Sequence, residues 1–166
     1  MDYEEITGEN SYETAWYTLV DVVSCIDVSM SDSPVEKIQK VLSFLNEHIH
    51  YETEINDVFL APVETLGLKS GDCDDYSILT AALFEYFEIE SAVGFFKNDN
   101  NDYHALVLIN LDDLGQFKNW YYSDLTRLGL PEGKWIKIEP QVTIEYQGDE
   151  DWMSQWNILV AQDLEN

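Results

Sequence analysis

Basic residues are what this 166-residue chain most lacks: eight Lys and Arg stand against 33 Asp and Glu, a formal charge of -25. A surface so negative repels phosphate backbones and anionic headgroups, which argues against nucleic-acid and membrane-surface roles. It leaves room for a basic protein partner. The acids are spread along the chain rather than gathered in one tail, so they describe a solvated face and not a disordered segment. Cysteine is scarce too. Two, Cys25 and Cys73, are too few for a disulfide-stapled scaffold, and nothing in their placement asks them to pair. No apolar run approaches the roughly 20 residues of a bilayer span, and no basic-then-apolar signal opens the chain. The expectation is a soluble protein with no membrane insertion. It is cytoplasmic if full length, and otherwise a domain of a longer secreted or anchored protein. Repeats and low-complexity segments are absent.

Seven Phe, ten Tyr and five Trp provide ample material for a core. A chain of this length buries roughly 70% of its unfolded surface as one domain, here residues 1–166, without metal or disulfide support. Residues 1–10 are acidic and frayed. From Ser11 a helix is expected, with Trp16, Leu19, Val20 and Val23 on one face and Cys25 packed into the core. Residues 27–34 make a connection, so residues 1–32 form an N-terminal helical extension. A second helix starts near Ser33 or Pro34 with Glu36 in its first turn. Its stripe is Val35, Ile38, Val41, Leu42 and Leu45, and it ends between His48 and Tyr51.

Residues 52–69, with Pro62 and Gly67, read as a loop or short helical turn. The next helix opens at SGDC, capped by Asp72, with Ile78, Leu79, Ala82, Leu83, Tyr86 and Phe87 at helical spacing. The pattern then changes to strands. Glu90–Lys97 and Tyr103–Asn110 form an antiparallel hairpin across the polar turn NDNND. That turn resembles part of a calcium loop, but Tyr103 replaces the glycine at position six and Ile109 the glutamate at position twelve. Two more strands follow at Asn119–Ser123 and Lys134–Glu139, the latter with Ile136 and Ile138 on one face and Trp135 and Lys137 on the other. Val142–Tyr146 reads as a short strand, QGDED as a turn, and Trp156–Ala161 as a strand or helix. Helices first and strands afterwards define an α+β domain.

Cys73 lies in the first turn of its helix, where free backbone N–H groups and the helix dipole favour a thiolate. It is therefore either a nucleophile or a small buried hydrophobe. A nucleophilic cysteine needs a base, and the chain has only three histidines: His48, His50 and His104. The His48-x-His50 pair has no cysteine pair beside it and suits a helix C-terminus better than a metal. His104 interrupts the apolar strand YHALVLIN, where a polar ring needs a partner. Glu139, closing KWIKIE before Pro140, is placed to orient it. Asp72, Asp74 and Asp75 suit the helix dipole, and no metal or cofactor is expected.

These motifs in this order resemble the transglutaminase-like superfamily of papain-like cysteine enzymes. Residues 35–141 carry the resemblance: Gly71-Asp72-Cys73-Asp74-Asp75 opening a helix, His104-Ala105 on a strand, and Trp135 to Glu139 before Pro140. His50-Tyr51 and Pro62 to Leu66 also match the family's habits. The resemblance implies a papain-like core with the cysteine helix packed on an antiparallel sheet. It implies Cys73 as nucleophile, His104 as general base and acid, and Glu139 as orienting carboxylate, with Gly71, Asp72 and Asp75 supporting the motif. Many members have Asp at the third position, and an extra segment separates His104 from Glu139, so Asp124 is a rival. Tyr51 is a candidate oxyanion donor beside the Cys73 backbone N–H, although a core role explains it as well.

The expected function is cysteine-dependent acyl transfer on a peptide or protein substrate, with hydrolysis of a peptide or side-chain amide favoured over cross-linking. The alternative is a non-catalytic binding or scaffolding module that keeps the fold and serves a basic partner.

Overall fold

The computed structural model describes residues 19–53, 58–112, 121–142, 147 and 154–163. Helix α1, Leu19–Val23, belongs to the expected first helix, whose start at Ser11 and Trp16 lies outside the described residues. Its inward stripe is Leu19, Val22, Val23 and Ile26, while Val20 is exposed. The spacing of three, four and seven keeps those four on one face, and Val20 falls off it. Helix α2, Pro34–His48, begins where a capping box predicts. The Ser33 N–H donates to Glu36 Oε2 at 2.9 Å, and Ser33 Oγ accepts from the Glu36 N–H at 3.4 Å.

A two-residue strand β1, His50–Tyr51, follows α2 and pairs in parallel with β2, Ser70–Gly71. Short runs of this kind have no readable periodicity, and neither strand was expected. Between them lies α3, Pro62–Leu68, ending at Lys69 in the left-handed region (φ 55°). Helix α4, Cys73–Tyr86, follows β2 directly. The Tyr76 hydroxyl donates to the Ile49 carbonyl and holds α4 against the chain entering β1.

The remaining strands form one antiparallel sheet: β3 (Ser91–Lys97), β4 (Tyr103–Asn110), β5 (Tyr121–Tyr122), β6 (Trp135–Ile138) and β7 (Asn157–Asp163), in the order β5-β6-β4-β3-β7. The hairpin pairs Ser91 with Ile109 through to Lys97 with Tyr103. Its turn is closed by Asn98, whose Oδ1 accepts from the Asn100 and Asp102 N–H groups. Strand β7 is thus an edge strand. Asn119 and Trp120, and residues 143–146 of the expected short strand, lie outside the described residues.

Alternation along the strands builds two cores. Val93, Val107, Ile109, Ile136 and Ile138 meet the apolar faces of α2 and α4. On the sheet's other face Phe96, Leu106, Leu108 and Trp135 pack with Leu125, Leu130 and Trp156. Trp135 is 1% exposed and donates its indole N–H to the Pro131 carbonyl at 3.0 Å, so it is core rather than cleft wall. The α+β class with a helix packed on an antiparallel sheet is therefore the observed fold. Because β3 returns alongside α4, the start of β4 comes back to the level of Cys73.

Candidate active site

Cys73 is the first residue of α4, and the turn that places it is held by its neighbours. Asp72 Oδ1 accepts from the Asp74 N–H at 3.3 Å, and Asp75 Oδ2 reaches back to the Asp72 N–H at 3.3 Å. Asp75 is fully buried, and its Oδ1 accepts from the Leu60 N–H at 2.8 Å, fastening the stretch before α3 to the cysteine helix. A Cβ on Gly71 would lie 2.6 Å from the Asp75 Cβ, which leaves room only for glycine. Gly71, Asp72 and Asp75 are thus the scaffold of the turn.

His104 is the second residue of β4, and Glu139 immediately follows β6. The pairing of Val107 with Ile138 brings that end of β6 beside the start of β4. His104 Nε2 and Glu139 Oε2 are 2.6 Å apart, with side chains only 14% and 8% exposed. Cys73 acts on the same ring and favours its protonated form. With Nε2 engaged by Glu139, Nδ1 is the nitrogen left for sulfur. Burial opposes charge on His104, but Cys73 and Glu139 outweigh it, and the pKa is pushed up to about 9. Glu139 Oε1 is occupied by the Gln141 N–H at 3.1 Å.

Asp124, the rival for this position, is elsewhere. Its Oδ1 accepts from the Thr126 N–H (2.9 Å) and hydroxyl (2.6 Å) at the start of the short 3₁₀ turn Thr126–Leu128, which holds its carboxyl below the ordinary value. Glu139, not Asp124, is the acid beside the imidazole. Tyr51 is half exposed rather than core, its ring 6.4 Å from that of Tyr76. Burial, and after it the charge of Cys73, raise its pKa.

Neither Trp156 nor Gln147 was singled out from the sequence. The Trp156 ring lies 5.1 Å from that of His104 at 37°, and Lys137 Nζ donates to the Trp156 carbonyl at 3.2 Å. Lys137 also sits over the Phe96 and Tyr122 rings, and burial pulls its pKa down to about 8. Gln147 bonds the backbone of Glu139. No local pattern marks either residue, since each acts through a contact distant in sequence.

Carboxylate oxygens of Asp72, Asp74 and Asp75 lie within 4.8 Å of one another, a donor set of the hard, all-oxygen kind that suits Ca2+ or Mg2+. Each residue is already engaged with a first-turn N–H group. Burial, then the hydrogen bond and charge of Asp72, push the Asp74 pKa up to about 7. Two cavities of about 490 and 500 Å³ lie away from this constellation, along α2.

A family model described as a transglutaminase-like domain matches residues 5–115, a span that includes Cys73 and His104 and stops before Glu139. No match was found among curated proteins. Among solved structures, Legionella pneumophila LapG in a calcium-bound form superposes with a TM-score of 0.61 at 15% identity, over 100% of this chain and 86% of that one. A second LapG structure gives 0.59 at 16% identity, over 99% and 85%. A candidate cysteine protease from Cytophaga hutchinsonii gives 0.56 at 11% identity, over 86% of this chain and 41% of that longer one. At these identities the likeness establishes the fold.

Proposed function

Because this chain belongs to the transglutaminase-like domain family, we propose that it is a cysteine-dependent hydrolase or acyltransferase acting on an amide bond of a peptide or protein. The observation that carries the reading is the buried His104–Glu139 contact of 2.6 Å, on a ring whose protonated form Cys73 also favours. In this reading Cys73 gives its thiol proton to His104 as its sulfur attacks the substrate carbonyl carbon, and the oxyanion is met by the Cys73 backbone N–H and the Tyr51 hydroxyl. The C–N bond breaks as His104 gives its proton to the departing amine, leaving a thioester on Cys73. Water then attacks that thioester and yields its proton to His104, which releases the acid and restores the thiol. An amine in place of water completes transamidation. Glu139 holds the ring so that Nδ1 faces sulfur, and its charge stabilises the imidazolium at the moment of proton donation.

The acidic surface favours a substrate or partner rich in Lys and Arg, with association that weakens as salt rises. The test is competitive alkylation of the native protein by iodoacetamide at about pH 6, mapped by peptide mass spectrometry. Cys73 is expected to react at least ten times faster than Cys25, and His104→Ala is expected to abolish that preference while keeping the native circular dichroism. Equal rates at the two cysteines would rule the reading out in favour of a non-catalytic binding module.

A further inference from the structure

Glu139 presents its carboxylate from a place where the sheet no longer holds the backbone. Strand β6 ends at Ile138, and Pro140 has no N–H with which to continue it. A glutamate has three side-chain torsions between backbone and carboxylate, so an untethered backbone would let Oε2 wander from His104.

Apart from a long bond of 3.4 Å from the Val142 N–H to the Glu139 carbonyl, one side chain tethers the backbone. Gln147 Oε1 accepts from the Glu139 N–H at 2.9 Å, and Gln147 Nε2 donates to the Glu139 carbonyl at 2.6 Å. The second hydrogen of that amide goes to the Val142 carbonyl at 3.0 Å. A single carboxamide thus pairs both backbone groups of one residue, as a neighbouring peptide group does in an antiparallel ladder. From the other side Asn46, on α2, donates to the Pro140 carbonyl at 3.3 Å. Solvation of an exposed glutamine does not explain three directed bonds on one amide.

We propose that Gln147 is a positioning residue: its carboxamide substitutes for a missing strand at Glu139 and so fixes the carboxylate on His104. This rests on the Cys73–His104–Glu139 reading and adds to it a residue eight positions beyond the acid. Among the described residues, the titratable groups that act most on His104 are Cys73 from α4 and Glu139 after β6, while β3 places the apolar Phe96 opposite it. Lys137 lies two residues before Glu139 and is turned to Trp156. Gln147 carries no charge, so its influence on His104 runs through the geometry of Glu139.

The experiment uses a Cys25→Ser protein, in which Cys73 is the one thiol. The pH dependence of its reaction with iodoacetamide is followed beside the NMR titration of His104. Gln147→Met removes all three bonds and is expected to lower the His104 pKa by roughly half to one unit, and to move the onset of fast alkylation to higher pH because the imidazolium that favours the Cys73 thiolate is weakened. In a Glu139→Gln background the same change should add nothing, because the carboxylate it positions is gone. Gln147→Asn, one methylene short, should shift the titration in the same direction by less, and it decides the matter if the Met variant does not fold. Unchanged titrations in the Gln147 variants with a normal response to Glu139→Gln would overturn this proposal alone. A silent Glu139→Gln would remove the parent reading with it. A protein that also unfolds with Asn at 147 would assign the clamp to stability and overturn the positioning role.

Discussion

Replacing Glu139 by Gln tests the site at its imidazole. His104 is raised from the ordinary 6.5 to about 9 although burial works against its charge. A shift of that size corresponds to roughly 3 kcal/mol of preference for the imidazolium, at 1.36 kcal/mol per unit. Two neighbours supply it, the Cys73 sulfur in its charged form and the Glu139 carboxylate. Gln keeps the shape and an oxygen acceptor but not the charge. A charge-assisted hydrogen bond exceeds a neutral one by about 1 to 1.5 kcal/mol, so the loss should bring His104 down by roughly one unit or more. With only three histidines in the chain, the ring proton of His104 can be followed by NMR from pH 5 to 10. A folded pKa above the unfolded one means that the folded state holds the proton more tightly. The pair therefore contributes its full stability below about pH 6.5 and loses it as pH rises through about 9. Urea midpoints should fall across that interval in the native sequence and flatten in Glu139→Gln. An imidazole that titrates at the same pH in both proteins would refute the reasoning, as would a midpoint that climbs from pH 6.5 to 9. Asp124→Asn is the control, because its carboxylate is spent on Thr126 and its loss should leave His104 where it is.

Gly71→Ala places a methyl 2.6 Å from the Asp75 Cβ, so the turn before Cys73 must open. Overpacking of this kind costs roughly 1 to 3 kcal/mol, read as a fall of a few to about 10 °C in the thermal midpoint, and an unchanged midpoint would show that the turn has slack. Asp74→Asn keeps the oxygen that accepts the Asp75 N–H but removes a carboxylate whose folded pKa is raised to about 7 by burial and by Asp72. The unfolded chain releases that proton near 3.8, so the penalty for ionisation grows between the two values and is complete above the higher one. Urea unfolding should find Asp74→Asn near neutral at pH 4 and stabilising at pH 8, and the reverse order would exclude a buried, repelled carboxylate.

The parts of this fold that the sequence announces are those whose signal is local and repeated. Helix α2 runs from a capping box at Ser33 along Ile38, Val41, Leu42 and Leu45, and its limits follow from those residues alone. The hairpin of β3 and β4 is similarly marked by its turn and its β-rich arms. The two-residue strands β1 and β2 could not be found this way, because their existence depends on α3 folding back to set Ser70 beside His50. Strand β7 was ambiguous for a related reason. Leu159 and Val160 are both exposed on an edge, so its pattern is neither an alternation nor a helical stripe.

The site divides along the same line. Cys73 and His104 could be nominated because a cysteine in a capped first turn and a histidine inside an apolar strand are each odd for their surroundings. The sequence favours Glu139 over Asp124, and the register of β6 on β4 is what sets it beside His104. Gln147 and Trp156 carry no local oddity at all. A glutamine in a polar turn and a tryptophan before a strand are unremarkable until the chain returns across the sheet and sets one on the backbone of Glu139 and the other on the ring of His104. Chemistry that depends on a proton at one ring nitrogen needs the whole of that return path to be fixed. The chain therefore spends polar side chains on holding backbone in place, and those groups surface only when the long-range contacts are known.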